Sequence, residues 1–355
     1  MEADEPRSAG KPRYAALDAL RGIAALAVVL FHYTVRYPDF HPAGTVPFAF
    51  AWGLYGVHLF FMISGFVILM SLSASGGAGF VRSRFIRLFP TFWAAVLLTS
   101  AVLLIAPGIG AAPGPLQFAA NLTMAEEYLQ IAPIDGAYWS LTYELGFYAM
   151  MYILVRFAPR RAIGWVPLWM LAGAALFPLV MRWIPHPLHL LIGVHPYGHL
   201  FASGVAIFLL RAGRAPRYLW LVPLAAPLVQ FSQDGAAGLA CVALAVAAMV
   251  LATRPAMRLP DFAMPLLWLG AISYALYLTH QMIGYVLLAR LQALGAPPEL
   301  ALALTLIFAI ALGAALTIAV ERPSARWLKQ VLPRGTDWLR LPGMPRRCDG
   351  IEPAR

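Results

Sequence analysis

The sequence predicts an all-α, polytopic integral membrane protein with about ten transmembrane helices and both termini cytoplasmic. Three observations carry that prediction. The 355 residues are 61% hydrophobic and only 12% charged, with a mean hydropathy of +0.72, whereas an ordinary soluble domain has roughly 25% charged residues. Apolar segments of roughly 17–25 residues, long enough to cross a bilayer, recur along the chain. The basic residues between them fall overwhelmingly on one side.

The segments read in order as about 16–36, 52–72, 86–106, 137–157, 163–183, 193–211, 217–232, 236–253, 264–289 and 299–320. The seventh is short, and only Gln230 to Gly235 separates it from the eighth. With the N-terminus inside, 22 of the 26 Lys and Arg residues fall on the cytoplasmic side: Arg7, Lys11 and Arg13; Arg82, Arg84 and Arg87; Arg156, Arg160 and Arg161; Arg211, Arg214 and Arg217; Arg254 and Arg258; and everything basic from Arg322 onward. Arg36, Arg182 and Arg290 fall outside, and Arg21 lies within the first helix. One missed helix would move the later clusters to the wrong side, so the bias supports the count as well as the orientation. The outer loop from Pro107 to Ala137 holds Glu126, Glu127 and Asp135 with no Lys or Arg.

This layout gives a cytoplasmic tail over 1–13, a transmembrane domain over 14–327 and a second cytoplasmic tail over 328–355. The start of the chain is acidic and no small-residue cleavage site follows the first apolar run, so the first helix is expected to be retained. The net charge of +10 is accounted for by orientation and does not call for nucleic acid. Cys241 and Cys348 have neither disulfide nor metal-site spacing. The histidine-rich stretch from His186 to His199 has prolines that interrupt helical spacing and no carboxylate, so no metal site is expected there.

Ionisable residues at membrane depth mark function by default, because they must face a bundle interior or a water-filled cavity. In LDALRGIAALAVVLFHY, Leu17 to Tyr33, the residues Arg21 and His32 are eleven positions apart. That is three turns plus about 20°, so both lie on one helix face, about 16 Å apart along the axis. One cavity is expected to contact both. The alternative use of Arg21 is a local pair with Asp18 at i,i+3, and that of His32 is an interfacial hydrogen bond.

In GVHLFFMISGF, Gly56 to Phe66, the pair Ser64 and Gly65 suits close helix approach, and Met62 breaks the Gly-x-Ser-x-Gly pattern of a serine nucleophile. FVRSRFIRLFPTFW, from Phe80, places Arg84 and Arg87 at i,i+3 on one face, suited to a phosphate-bearing ligand, and leaves Arg82 as an anchor. YWSLTYELGFY carries Glu144, able to orient or charge-pair with a histidine or an arginine, and ISYALYLTHQ carries Tyr277 and His280 at i,i+3. His58, Glu144 and His280 converge with His32 only if the helices pack accordingly. His32 has Tyr37 five residues on, so the His-x4-Asp pattern of glycerolipid acyltransferases is absent.

Taken together and in order, these blocks resemble the membrane acyltransferase-3 family, the polytopic O-acyltransferases of bacterial surface polysaccharides and some secondary metabolites. Arg21 and His32 match the family's arginine, ten residues, then histidine. The other four blocks match as well, and ERPSARW, from Glu321, resembles the closing Glu-x-Pro. The resemblance implies transfer of an acyl group, often acetyl, from acyl-CoA as donor co-substrate to a hydroxyl of a carbohydrate or secondary-metabolite acceptor, in the bacterial cytoplasmic (inner) membrane. It implies no tightly bound cofactor. It makes His32 the catalytic base, has Arg21 support the base or the donor, places Arg84 and Arg87 at the donor, and adds Glu144 to the catalytic set. Asp18, His58, Tyr277 and His280 are further cavity candidates. His58 departs from the acidic or polar residue that many members carry, which opens the base assignment to a second histidine. The competing class is a transporter or flippase that uses the buried charges as a pathway; no inverted repeat is visible to support it.

Overall fold

Ala15–Phe31 is composed almost wholly of Ala, Leu, Ile and Val, and it forms the first long helix, α1. The computed structural model describes residues 14–332 apart from positions 107, 159, 214, 255, 256 and 258. The predicted N-terminal tail, Arg214, Arg258 and residues 333–355 with Cys348 lie outside the described residues, as do the side chains of Arg160, Arg161 and His186. After α1 come α2 (Tyr55–Ile105), α3 (Trp139–Phe157), α4 (Val166–Val180), α5 (Gly198–Arg211), α6 (Leu221–Ala252), α7 (Met264–Thr279), α8 (Gln281–Ala293), α9 (Pro298–Leu316) and α10 (Arg322–Val331). The described residues contain no strand. Six helical stretches among them are long and apolar enough to cross a membrane: Ala15–Phe40, Ala51–Ala74, Gly77–Ile105, Arg217–Ala252, Asp261–Thr279 and Pro298–Val331. Helices satisfy every backbone group internally, which hydrocarbon demands. The chain is a multi-pass membrane protein.

Two of the helices are not single rods. A straight helix of the 51 residues in α2 would extend about 76 Å, over twice the hydrocarbon thickness. Instead α2 folds back on itself: Arg84 Nη2 donates to Ser71 Oγ at 3.4 Å, thirteen residues earlier. Its two arms are the spans Ala51–Ala74 and Gly77–Ile105. In α6 the bend is at Gly235, whose φ of 70° and ψ of −154° lie outside the helical region. This glycine closes the short gap that the sequence leaves between its seventh and eighth segments.

The ninth predicted segment, 264–289, reads as one helix, and here the structure differs. It breaks at His280 into α7 and α8. At the break Asp135 Oδ2 accepts the Met282 backbone N–H at 3.0 Å.

Small residues set the packing around α1. Gly22 of α1 lies against the Leu266 carbonyl of α7 and Gly270 of α7 against the Asp18 carbonyl of α1, so the two backbones touch with no room for a Cβ on either. The same contact recurs between Gly65 in the first arm of α2 and Phe201 in α5. α1 and α7 run parallel, since further along His32 meets His280. The first arm of α2 runs antiparallel to α1, with Gly53 at Ala27 and Gly56 at Ala24. α5 runs with that arm, Phe61 stacking on Phe201 and Phe66 meeting Phe208. Ser71, Arg84 and Arg211 therefore lie at the end of the bundle where α1 begins. α10 joins them there, because Arg82 Nη2 donates to the Lys329 carbonyl at 2.6 Å.

Candidate active site

A cavity opens between α1, both arms of α2, α3 and α7. Arg21 reaches it from α1, Ser64 from the first arm of α2, and Arg84 and Arg87 from the second. The fold-back of α2 makes this possible, because it returns the arginines to the level of Ser64. α3 contributes Ser140, Glu144 and Tyr148, a four-residue spacing that puts all three on one face. α7 contributes Ser273, Tyr274 and Tyr277.

The cavity is densely charged. Arg21 pairs with Asp18 at 3.4 Å, the local pair that the i,i+3 spacing suggests. Glu144 is engaged by hydroxyls rather than by the histidine or arginine expected from sequence. Its Oε1 accepts from Ser64 Oγ at 2.7 Å and from Tyr148 Oη. Ser64 is thus a polar partner of the cavity, and the close approach ascribed to Ser64 and Gly65 together belongs to Gly65. Arg84 is a fixed positive group, held by Ser71 and lying 5.7 Å from the Phe80 ring centroid. Three guanidinium groups line the cavity with one carboxylate, Glu144, while Asp18 sits beside Arg21 and Glu321 near Arg87; the guanidinium forks suit a ligand with a bidentate anionic group.

Above Tyr277 the two predicted histidines meet. His280 Nε2 lies 3.1 Å from His32 Nδ1. His280 Nδ1 lies 2.8 Å from the Tyr277 carbonyl and His32 Nδ1 lies 2.9 Å from the Val28 carbonyl. A carbonyl only accepts, so each Nδ1 carries the proton. His280 Nε2 is then a lone-pair acceptor for His32 Nδ1–H, and the His280 ring is neutral. A proton on His280 Nε2 would set N–H against N–H. The same bonds fix the His32 tautomer, so that neutral His32 keeps its lone pair on Nε2, the electronic state of a general base.

Three groups hold this pair. Tyr33 Oη donates to the His280 carbonyl at 2.7 Å. Asp135 accepts from Met282 N and, through Oδ1, from Ala137 N at 2.9 Å. Tyr277 Oη donates to the Ala137 carbonyl at 2.9 Å and accepts from Ser140 Oγ at 2.6 Å. In the outer loop, burial pushes the Asp135 carboxyl up to about 6. It pushes Glu126, whose two carboxylate oxygens have no partner, up to about 7.

The shared face of Arg21 and His32 is real, since both look toward α7, but the single cavity is not. Arg21 borders it and His32 does not. Tyr277, on the cavity wall, packs its ring 5.7 Å from His280 and 5.8 Å from Phe60, and so stands between the cavity and the histidines. His58 does not join them. It is buried between Tyr55 and Tyr197, with ring centroids at 5.0 and 5.9 Å, and neither ring nitrogen has a partner. Of the histidine-rich stretch, His199 Nε2 faces Gln230 Oε1 at 3.0 Å and His195 packs on Tyr143 and Phe201. Among the described residues no group of three or more His, Cys, Asp or Glu could hold a metal ion. Sequence reasoning passed over Ser64, Tyr148, Tyr33 and Asp135 as site residues. Only Tyr148 carried a local signal, its i,i+4 spacing from Glu144.

A family model described as an acyltransferase domain, the acyltransferase-3 type, matches residues 14–320. The chain is 27% identical over 368 aligned residues to acyltransferase MdmB of Streptomyces mycarofaciens, covering 91% of this chain and 95% of that protein. No solved structure matches the chain. A transmembrane helical bundle whose arginine cavity and histidine pair fall wholly within the matched span is thus a transferase, and the chain belongs to the acyltransferase-3 family.

Proposed function

We propose that the protein transfers an acyl group, acetyl in the simplest case, from acyl-CoA to a hydroxyl of a carbohydrate or secondary-metabolite acceptor, with His32 as general base. The observation that carries this reading is the histidine pair: its hydrogen bonds leave His32 Nε2 with a free lone pair directly beyond a cavity built for an anion. Acyl-CoA is a dissociable co-substrate. Its phosphates bind Arg84 and Arg87, Arg21 supports the donor arm, and the thioester passes Tyr277 to reach His32. Nε2 removes the proton of the acceptor hydroxyl as its oxygen bonds to the thioester carbonyl carbon. The tetrahedral adduct then expels the CoA thiolate, which takes the proton back from His32. A base in this position contributes about 10²–10⁴-fold to the rate.

The protein acts in the bacterial cytoplasmic membrane, crossing it about ten times with both ends inside. The gathering of Arg82, Arg84, Arg211 and Lys329 at the end where α1 begins supports that orientation, and it lets cytoplasmic acyl-CoA enter among the arginines. The test uses purified protein in proteoliposomes with labelled acetyl-CoA and extracts of candidate glycans and metabolites. Label should move to the acceptor and stop moving in His32→Ala. Unchanged transfer by that variant overturns the assignment.

A further inference from the structure

α3 has two working faces. Ser140, Glu144 and Tyr148 line the arginine cavity, while Trp139 and Tyr143, one step around the helix, line a second, open cleft. Its far wall is Ile131, Ala132 and Pro133 of the outer loop, and its rim carries Glu127 and Gln130.

Both walls are fixed in advance of any ligand. Trp139 meets Tyr143 edge-on with centroids 5.5 Å apart and is backed by Tyr197 at 5.1 Å and Phe61 at 6.0 Å. The loop wall is pinned by buried Asn121, which donates to the Ala132 carbonyl at 3.2 Å and accepts from Ile134 N at 2.8 Å. Gln130 takes the left-handed conformation, φ 57°, and its side chain is exposed at the rim. An aromatic corner with a carboxylate and an amide at its edge is the chemistry that holds a hydroxylated ring: C–H bonds pack on the aromatic face and hydroxyls bond to the rim.

Charge narrows the ligand. The loop from 108 to 137 contains Glu126, Glu127 and Asp135 and no Lys or Arg. Nothing there would compensate a carboxylate or phosphate, so the cleft disfavours the acyl donor and any acidic sugar. It also adjoins the chemistry. Ser140, next to Trp139, bonds Tyr277, whose ring packs on His280.

We infer that this cleft is the acceptor site, and that it takes a sugar ring without negative charge, neutral or amine-bearing, stacked on Trp139 with Glu127 and Gln130 at its hydroxyls or amine. The acceptor role rests on the acyl-transfer reading; the selectivity for charge rests on the cleft alone.

The experiment places the full chain in nanodiscs and records saturation-transfer NMR with methyl β-glucoside, methyl β-glucosaminide and methyl β-glucuronide. Saturation is expected for the first two and, from charge repulsion at the rim, about tenfold less for the glucuronide. Trp139→Ala should weaken the neutral and amine ligands by about tenfold, and Trp139→Phe, which keeps a ring and guards against misfolding, should recover most of it. Glu127→Gln should lower the glucosaminide to the level of the neutral glucoside. Equal saturation of all three sugars, no saturation of any, or binding unmoved in Trp139→Ala each overturns the site. Failure of the acyl-transfer reading looks different: labelled acetyl-CoA is not consumed while sugar binding in the cleft persists.

Discussion

The histidine pair makes a quantitative prediction for His280→Ala. In the ground state His32 Nδ1–H is shared between His280 Nε2 at 3.1 Å and the Val28 carbonyl at 2.9 Å. Removing the His280 ring leaves Val28 to hold the same tautomer, so the base stays in the correct form. What changes is the transition state, in which His32 becomes a cation and its Nδ1–H bonds strengthen. A hydrogen bond to a charged group contributes about 1.5–3 kcal/mol and a neutral one about 0.5–1.5, so the difference lost is about 1–1.5 kcal/mol. That lowers kcat about five- to twelvefold, far less than loss of the base itself. The KM for acetyl-CoA should not move, because His280 does not border the donor cavity. His280→Asn, which can present an amide oxygen to the same proton, should recover part of the rate. The assay is labelled acyl transfer in proteoliposomes for each single variant and for the His32→Ala, His280→Ala double variant. The double should be no slower than His32→Ala alone. A multiplicative loss in the double, or an unchanged kcat in His280→Ala, refutes the relay.

Arg84→Ala and Arg87→Ala should each raise the KM for acetyl-CoA by about tenfold with kcat nearly kept, since each removes a charge-assisted bond to the donor; steady-state kinetics against donor concentration decides it. Glu126→Gln should raise the apparent Tm at pH 8 and leave it unchanged at pH 5. Burial raises the folded carboxyl from 4.5 to about 7, so the folded state binds more protons across that window. Its stability is full below pH 4.5 and falls by about 3 kcal/mol as pH rises through 7, a loss that the amide does not suffer; equal shifts at both pH values would contradict this. Gly270→Val should lower the apparent Tm and transfer together, because its side chain would strike the Asp18 carbonyl and part α1 from α7; wild-type melting refutes the packing.

The legible parts of this fold were the periodic ones. Arg21 and His32 share a face because eleven residues nearly complete three turns, and that arithmetic needs no tertiary contact. The structure turns that face toward α7 and His280. The arithmetic could not show that Tyr277 sits between the arginine cavity and the histidine pair, so that the one expected cavity does not reach His32. Gly65 was legible as a packing residue because a backbone contact leaves a compositional mark. Ser64 was not legible as a partner for Glu144, eighty residues on, because small polar residues look alike whether they pack or bond. The reversal in α2 was legible, since 52–72 and 86–106 read as separate spans. Its arginines could be read as a cluster, but not as lining the same cavity as Ser64. Asp135 left no signal at all: it is a loop aspartate in the sequence and the partner of the Met282 backbone at a helix break in the structure.

The side chain that meets His32 Nδ1 at this break is another histidine, His280. A carboxylate bonded to His32 would stabilise the imidazolium more strongly, but an ionised carboxylate in the bundle interior carries a desolvation penalty of several kcal/mol that its partner recovers only in part. The protein keeps its aspartate in the outer loop and turns it toward backbone N–H groups of Met282 and Ala137. There Asp135 bonds the backbone at the helix break beside His280, the ring that accepts from His32. The carboxylate holds the backbone, while the ring in contact with the base stays neutral. A neutral pair can be buried beside lipid without a counter-ion. On the proposed reading it is also silent toward an anionic donor among Arg21, Arg84 and Arg87. Separating those cations from the proton-accepting ring would then let one bundle bind the donor and hold an uncharged base a single aromatic side chain, Tyr277, away.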